Sequence, residues 1–298
     1  MKIIVTGSLG HISKPLTEEL VQQGHQVTVI SSKTDRQDAI EAIGAKAAIG
    51  TVEDVDFLTS TFTGADAVYL MEPPTGFFDP NFNLMKFTSK LAHNFVQAVR
   101  ESGVKRVVHL SSIGAHTDKG NGILAFHYNV EQILNKLPDD VGLTIMRPVG
   151  FYYNLLSFIN TIKTQGAIVT NYGGDLSEPW VSPKDIAAAV AKEIVTPLKG
   201  RKIEYIASDE LTCNEVARIL GEAIGKPDLQ WTVIVDDQLE NGMVTAGMNP
   251  AIAKGLVEMN AGRRNGILYE DYYKHRPTLG KVKLTDFAKE FAAAYNQS

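Results

Sequence analysis

The chain has 298 residues, 44% of them hydrophobic and 21% charged, and a formal net charge of −5. These values are typical of a globular protein with a sizeable core. An acidic chain without a basic run offers no electrostatic footprint for nucleic acid. No stretch approaches the roughly 20 apolar residues that span a bilayer, so no membrane association is expected.

The cysteine and histidine content narrows the chemistry further. Cys213 is the one cysteine, which excludes an intrachain disulfide and fits a reducing compartment. The seven histidines lack the spacing of metal ligands, so no metal site is predicted. We therefore expect a cytoplasmic protein that acts on a small molecule, and the sequence leaves its oligomeric state open.

Short apolar strands alternate with helices through the first half of the chain. Strands are predicted at 2–7, 24–32, 45–50, 65–71, 105–112 and 142–148. Helices are predicted at 12–23, 35–45, 55–64, 84–102 and 126–137. Near-continuous apolar strands separated by helices indicate a parallel sheet covered on both faces. Right-handed crossovers then predict an α/β, doubly wound Rossmann sheet.

The alternation changes after Pro148. An aromatic and apolar segment is followed by a predicted loop, a helix that starts near Pro183 and a strand at 201–208, which returns to the sheet. From Leu211 onward the pattern is mostly helical. The predicted division is a Rossmann domain of residues 1–154 and 176–207 and a smaller, mostly helical substrate lobe of residues 155–175 and 208–298. Such a lobe would cover the carboxyl edge of the sheet, where ligands bind in this architecture.

The stretch "VTGSLGHIS" joins the first predicted strand to the first helix. Gly7 can form a tight turn there, and Gly10 lets the backbone approach a pyrophosphate closely. The helix that begins near His11 offers free amides and a positive dipole end to that anion. Ser13 stands where a third glycine would serve helix packing, and it is small enough for that role. The turn predicts a dinucleotide site, and the alternative is a plain tight turn.

The end of the second strand discriminates between the two nicotinamide dinucleotides. An acidic residue there would bind a ribose 2′-hydroxyl, whereas basic neighbours accept a 2′-phosphate. Here the strand ends at Ser31 and Ser32, followed by Lys33 and Arg36. Two hydroxyls and two cations favour NADP(H) over NAD(H). The alternatives are an ordinary solvated turn, and an Asp35 that pairs with Arg36 or takes the ribose itself.

Six segments in a fixed order carry a family resemblance over nearly the whole chain. They are "TGSLGHIS" at 6–13, "HLSSIGAH" at 109–116, "HYNVEQIL" at 127–134, "MRPVGFYYN" at 146–154, "VSPKDIAAAV" at 181–190 and "LTCNEVARILGEAIGKP" at 211–227. With them the chain resembles the NmrA-like branch of the atypical short-chain dehydrogenase/reductases. This implies a Rossmann domain that binds NADP or NAD and a small C-terminal substrate lobe. Some members are NAD(P)H-dependent quinone or carbonyl reductases, and others are redox-sensing regulators without turnover.

The glycine turn, the ends of four predicted strands and the resemblance together predict the cofactor site. Its residues are Gly7, Ser8, Leu9, Gly10, His11, Ile12, Ser31, Ser32, Lys33, Arg36, Met71, Glu72, Pro73, Ser111, His127, Pro148, Val149, Gly150 and Phe151. The segment at 71–73 would pass the cofactor's ribose by backbone contact.

The catalytic pair of the wider family is missing. Catalytic short-chain dehydrogenases use Tyr-x-x-x-Lys, but Tyr128 is followed four places later by Gln132. His127 and Glu131 instead share a helix face at spacing four. Glu131 could hold the imidazole and raise its pKa, which would make His127 a proton donor. Alternatively, His127 only hydrogen-bonds the nicotinamide ribose.

Other residues near the predicted site have two interpretations each. Ser111 and Ser112 end the fifth strand, where Ser112 could orient the substrate, or both could be turn residues. Phe151, Tyr152 and Tyr153 could wall an aromatic substrate pocket or form core between the lobes.

The sequence therefore supports two functions from different classes. The first is NADPH-dependent reduction of a quinone or other small carbonyl compound, with His127, Glu131 and Ser112 as catalytic candidates. The second is an NADP-binding redox sensor without turnover that acts through a protein partner. A sugar-nucleotide epimerase is disfavoured, because its chemistry also relies on the missing tyrosine.

Overall fold

A parallel sheet flanked by helices dominates the structure. The computed structural model describes residues 1–73 and 75–297. In chain order its strands are β1 (Lys2–Val5), β2 (Gln26–Ser31), β3 (Lys46–Ile49), β4 (Ala67–Leu70), β5 (Arg106–Leu110), β6 (Gly142–Pro148), β7 (Gly150–Phe151), β8 (Ala167–Thr170), β9 (Ser177–Val181), β10 (Arg201–Ile206), β11 (Asp209–Thr212) and β12 (Gln230–Val233). Its helices are α1 (Ser13–Gln22), α2 (Gln37–Ala42), α3 (Val55–Phe62), α4 (Leu84–Ser102), α5 (Ala125–Leu134), α6 (Ile159–Gln165), α7 (Pro183–Val195), α8 (Cys213–Ala223), α9 (Asp236–Thr245), α10 (Pro250–Arg264), α11 (Glu270–Lys274) and α12 (Leu284–Gln297).

Seven strands form the main sheet in the order β3-β2-β1-β4-β5-β6-β10. All the neighbours pair in parallel, and the strand after α7 returns to the main sheet as predicted, where it lies beside β6. The predicted doubly wound Rossmann sheet is confirmed. The strand order reverses between β1 and β4, and this reversal opens a crevice at the carboxyl ends of both strands.

Each face of the sheet has its own apolar core. On one face α1, α2 and α7 contribute buried side chains, among them Leu16, Leu20, Ile40, Ile186 and Val190. On the other face α3, α4 and α5 contribute Phe62, Leu91, Phe95, Val130 and Leu134, among others. Apolar residues at helical spacing therefore bury one stripe of each helix, as periodicity predicts. None of the helices in the described part of the chain is long and apolar enough to cross a bilayer.

The C-terminal region is mostly helical, as predicted, but it also contains two small sheets. One has the order β7-β9-β11, and the other pairs β8 with β12. The sequence analysis predicted a loop where β8 and β9 lie, and that prediction is wrong. Ile168 of β8 lies opposite Trp231 of β12, so this strand is stabilised by a partner far along the chain and not by its local pattern.

A third apolar cluster lies against this C-terminal region. Its buried members include Tyr152, Trp180, Trp231, Phe287 and Phe291. The residue boundaries between the Rossmann domain and the substrate lobe stay a prediction.

Candidate active site

The turn after β1 is too compressed for any side chain at its first glycine. Gly7 has a φ of +88°. A Cβ built there would lie 2.5 Å from Met71 Sδ and 2.6 Å from Ser13 Oγ. At Gly10 a Cβ would lie 3.2 Å from the Gly7 carbonyl oxygen, which also accepts a hydrogen bond from the Gly10 amide. Glycine at position 7 therefore allows both the left-handed backbone conformation and the close approach of the Met71 and Ser13 side chains.

Ser13 occupies the position of the missing third glycine and is buried. Its hydroxyl donates to the Thr6 carbonyl oxygen at 2.9 Å. The Thr6 hydroxyl donates to the Tyr69 carbonyl oxygen at 3.1 Å and accepts from the Met71 amide at 2.9 Å. The serine thus ties the start of α1 to the ends of β1 and β4. Ile12, at the N-cap of α1, provides no side-chain hydrogen bond. In the first turn the Lys14 amide already donates to the Gly10 carbonyl oxygen and Pro15 has no amide hydrogen, so only amides ahead of Lys14 can serve an anion.

One cavity of about 570 Å³ opens at the carboxyl edge of the sheet, beside this turn. A volume of this size is usual for a small-molecule site. It brings together many of the predicted residues, namely Gly7, Gly10, His11, Ile12, Met71, Glu72, Pro73, Ser111, Ser112, His127, Val149, Gly150 and Phe151. Its remaining wall is largely apolar and includes Phe77, Leu84, Leu124, Phe126, Met259, Leu268 and Tyr269. This wall was not predicted, because its residues come from segments that are far apart along the chain, namely the loop before α4, the helices α4, α5 and α10, and the 3₁₀ turns Gly122–Leu124 and Ile267–Tyr269.

The remaining predicted residues lie outside the lining of this cavity. They are Ser8, Leu9, Ser31, Ser32, Lys33, Arg36, Glu131 and Pro148. The Ser8 hydroxyl donates to Ser31 Oγ at 3.0 Å, which places the end of β2 beside the glycine turn. Lys33 and Arg36 are exposed there. Within residues 1–73 and 75–297 neither cation forms an ion pair, so the predicted pairing of Asp35 with Arg36 is absent.

Glu131 does not contact His127. Both of its carboxylate oxygens are engaged by Arg147, whose Nε donates at 3.0 Å and Nη2 at 2.6 Å, and the Ser111 hydroxyl donates to it at 2.5 Å. The predicted pairing of Glu131 with the His127 imidazole is therefore wrong. Spacing four only puts two side chains on one helix face, whereas a buried carboxylate requires a compensating cation. Arg147 on β6 supplies that cation.

His127 lines the cavity in a half-buried position. Its ring lies 3.8 Å from the Phe126 ring, and its Nδ1 has no hydrogen-bond partner among the described residues. Desolvation by burial, with a smaller contribution from His109, lowers the pKa of His127 to about 3. The predicted increase of this pKa is wrong, because Glu131 is occupied elsewhere. His127 is therefore a neutral imidazole at neutral pH, which leaves the hydrogen bond to a ribose as its alternative role.

Comparison with known proteins identifies the family to which the chain belongs. A family described as NAD(P)H-binding matches residues 7–197, which is more than half of the chain. The chain belongs to this NAD(P)H-binding family. The match confirms that the chain is an NAD(P)H-binding relative, as the resemblance implied.

Similar proteins agree with the fold. An uncharacterized protein of Schizosaccharomyces pombe is 28% identical over 248 residues, which cover 76% of this chain and 82% of the relative. The NADPH-dependent quinone oxidoreductase of Escherichia coli in complex with NADPH superposes with a TM-score of 0.80 at 20% identity, covering 97% of this chain and 99% of that chain. The Citrobacter triphenylmethane reductase complexed with NADP(H) superposes with a TM-score of 0.73 at 19% identity, with coverages of 97% and 99%.

The residues at the turn fit the dinucleotide that this NAD(P)H-binding family implies. A Cβ at Gly7 would lie within 2.6 Å of Met71 Sδ and Ser13 Oγ, and the residues from Gly10 to Ser13 at the start of α1 line the cavity. A pyrophosphate is the ligand suited to amides at the start of a helix. The exposed cations Lys33 and Arg36 lie at the end of β2, next to Ser31, where the fold brings the adenosine end.

The aromatic run after β6 divides between cavity and core. Phe151 and Tyr153 line the cavity, and the Tyr153 ring lies against the His11 ring at a tilt of 38°, with ring centroids 3.8 Å apart. Tyr152 is completely buried in the third apolar cluster, and its hydroxyl donates to Asp209 Oδ2 at 2.6 Å. Both alternatives from the sequence are therefore present in adjacent residues.

A buried cation on the cavity wall escaped the sequence analysis. Arg263 of α10 donates from Nε to Glu178 Oε2 at 3.1 Å, and its guanidinium lies 4.1 Å from the centre of the Tyr172 ring. Burial acts to lower the pKa of Arg263, but Glu178 together with Tyr172, Tyr269 and Cys213 outweighs it, so the pKa lies well above its usual value. A Cβ at Gly150 would lie 3.0 Å from Arg263 Nη2, so this cation packs directly on the chain segment after β6.

Arg147 also links the cavity to the C-terminal region. Its Nη1 donates to the Tyr205 hydroxyl at 3.0 Å and to Asp271 Oδ2 at 3.1 Å. The Tyr205 hydroxyl donates to the same Asp271 oxygen at 2.7 Å. Ser111 at the cavity is thereby connected through Glu131 and Arg147 to the start of α11. An arginine inside an otherwise apolar strand was the one sequence signal that could have revealed this network.

Proposed function

We propose that the protein is an NADPH-dependent reductase of a quinone or another small carbonyl compound. The observation that carries this proposal is the continuity of a single cavity, which begins at Gly7 and Gly10 and ends at the apolar wall of α4 and α10. A site for a dinucleotide alone would not need that wall. A reduced nicotinamide supplies hydride when it is bound. An apolar wall suits a flat apolar acceptor.

The cofactor and substrate roles of individual residues are part of this proposal. Ser112 would orient the acceptor oxygen, and neutral His127 would hydrogen-bond the nicotinamide ribose. Lys33 and Arg36 would accept the 2′-phosphate, because exposed cations without an ion pair are free to bind it. The E. coli quinone oxidoreductase and the Citrobacter reductase support the proposal through their shared fold. We also propose a cytoplasmic location for the protein.

The test is an assay of the purified protein with NADPH and a panel of quinones and carbonyl compounds, followed by nicotinamide absorbance. Acceptor-dependent oxidation is the expected result. Tight NADPH binding without turnover on the whole panel would overturn the reductase and favour the redox sensor, whose partner would then be sought by its preference for one cofactor state.

Cofactor choice has a separate test. Replacing both Lys33 and Arg36 with alanine should reduce NADPH affinity roughly tenfold to a hundredfold, at about 1 kcal/mol for each charged contact, and should leave NADH affinity unchanged. The matched control is Lys46→Ala, which removes an exposed cation at the amino end of β3. Equal affinities of the wild-type protein for NADPH and NADH would contradict the preference.

A further inference from the structure

A buried acid and a buried base meet at the cavity where β4 and β5 end. His109 Nε2 lies 3.1 Å from each carboxylate oxygen of Glu72. The side chains of His109 and Glu72 are 0% and 3% exposed. Glu72 lines the cavity. His109 lies behind it on β5, where it pairs with Leu70 of β4. Sequence analysis assigned only backbone contacts to Glu72 and no role to His109.

Several polar atoms around this pair have no partner. His109 Nδ1, the Tyr69 hydroxyl and His127 Nδ1 are buried without a hydrogen bond in the described part of the chain. Tyr69 from β4 and His127 from α5 are the titratable groups that face the pair. Burial, reinforced by the Glu72 charge, raises the pKa of Tyr69 above its usual value, so that hydroxyl retains its proton. Unpaired buried polar atoms are rare in folded proteins and often mark a functional site.

The charge balance of the pair favours one shared proton. No lysine or arginine among the described residues forms an ion pair with Glu72. A carboxylate beside a neutral imidazole would leave a net charge in the wall of an apolar cavity, which is costly. One proton shared between the two groups makes the pair neutral overall. Of the two groups, Glu72 is the one that lines the cavity.

Four other groups on the cavity wall are poor proton donors. His127 has a pKa of about 3 because of burial and His109, so it holds no extra proton at neutral pH. Burial raises the pKa of Tyr269 well above its usual value. Arg263 stays protonated beside Glu178, and the Ser111 hydroxyl already donates to Glu131.

We propose that Glu72, backed by His109, donates the proton that a carbonyl or quinone oxygen needs when it is reduced. This inference rests on the proposed reductase function. The reductant is a nicotinamide dinucleotide, which provides hydride to the acceptor. The π electron pair of the C=O bond moves to oxygen, and that oxygen takes the proton from the Glu72 carboxyl group. The proton on Glu72 comes from His109 Nε2, so the step leaves the Glu72 carboxylate beside a neutral His109 that keeps its proton on Nδ1, and a proton from water restores the pair.

The first test detects the stored proton without any turnover. In ¹⁵N NMR spectra of the resting wild-type protein at neutral pH, His109 should show two protonated ring nitrogens, and its signals are assigned by their loss in His109→Gln. In Glu72→Gln the same ring should be neutral. A neutral His109 ring in the wild-type protein, with no protonated Glu72 carboxyl in the ¹³C spectrum, would overturn the proposal.

The second test is kinetic. Glu72→Gln should lower kcat by about 10²-fold or more, which is the usual contribution of a positioned acid, with little change in NADPH affinity. Glu72→Asp keeps an acid and should recover most of the lost rate. The matched control is Glu53→Gln, which removes a surface carboxylate paired with Lys90. Circular dichroism checks that each variant is folded.

The kinetic outcomes separate the two proposals. An active wild-type protein with unchanged turnover in Glu72→Gln overturns the donor role and leaves the reductase intact. A wild-type protein that binds NADPH but reduces no acceptor overturns both. If Glu72→Gln does not fold, His109→Gln serves instead. This variant should lower kcat and leave KM unchanged, because His109 acts through Glu72.

Discussion

Gly7 is the residue where backbone conformation and ligand binding are most closely connected. Its φ is left-handed, and the nearby Met71 and Ser13 side chains leave no space for a Cβ. The sequence already indicated this role, because a glycine after the first strand is a local feature. The replacement of the third glycine by Ser13 has little structural cost, since the hydroxyl finds a buried carbonyl partner.

Gly7→Ala tests the turn. We expect a loss of about 2–4 kcal/mol in the free energy of unfolding, from backbone strain together with the clash, and a loss of dinucleotide binding. Urea unfolding and cofactor titration measure the two effects. Gly24→Ala is the matched control, because Gly24 has a φ of +83° with open space around it, so it reports backbone strain of about 1 kcal/mol alone. Equal effects in both variants would contradict the predicted clash.

His127 predicts a pH dependence of stability. Its pKa is about 3 in the folded protein and 6.5 ordinarily. Between these values the unfolded chain binds a proton that the folded protein does not, so stability is lost as the pH falls below about 6.5. We expect the unfolding free energy of the wild-type protein to decrease more between about pH 7 and pH 5 than that of His127→Gln. Identical decreases in urea unfolding would show that His127 is not desolvated.

At the scale of elements, a buried ionic network connects α5, β6, β10 and α11. Helix α5 was predicted with its His127 and Glu131 on one face, but the partner of Glu131 comes from the neighbouring strand. Arg147 and Glu131 are 5% and 2% exposed in their side chains. Their role in the fold is therefore to join elements, and only the packing of α5 on the sheet reveals it.

Arg147→Met tests this network. The change leaves the Glu131 carboxylate buried without a cation, and we expect a loss of about 3–5 kcal/mol in urea unfolding. The double variant Arg147→Met with Glu131→Leu should recover much of that loss, because no charge remains buried. Lys90→Met, which breaks an exposed pair with Glu53, is the control and should cost at most about 1 kcal/mol. A double variant as unstable as Arg147→Met would contradict the assignment.

At the scale of the whole molecule, Asn249 ties the loop after β4 to the C-terminal helices. Its Oδ1 accepts the Ala251 amide at 2.9 Å and so caps α10. Its Nδ2 donates to the carbonyl oxygens of Asp79 at 2.8 Å and Phe82 at 3.1 Å. The cavity wall is thereby assembled from two parts of the chain that are 167 and 170 residues apart at these contacts.

Asn249→Asp separates the two roles of this side chain. The carboxylate can still cap α10, but it loses both donated hydrogen bonds, so we expect the loop at 75–83 to open about tenfold more often. Faster proteolysis within that loop, at unchanged NADPH affinity, is the measurement. Asn214→Asp, which breaks an exposed hydrogen bond to Asp175, is the control. Unchanged proteolysis would show that other contacts hold the wall.

Local patterns were sufficient for most of the Rossmann part of this chain. Apolar runs with helical stripes between them predicted the parallel sheet, because burial on both faces imposes that pattern on each strand separately. The glycine turn predicted the dinucleotide site for the same reason, since the φ of Gly7 and the start of α1 are properties of one short segment.

Contacts between distant segments were decided by the tertiary structure alone. Glu72 and His109 are 37 residues apart, and Arg263 and Glu178 are 85 apart. Strands β8 and β12, which pair with each other, are likewise far apart along the chain. Local spacing does not predict such contacts. They form only when the packed elements bring distant segments together, so that a buried charge meets its counter-charge or a strand meets its partner strand. The cofactor turn could thus be predicted from thirteen residues, whereas the chemistry beside it required the folded chain.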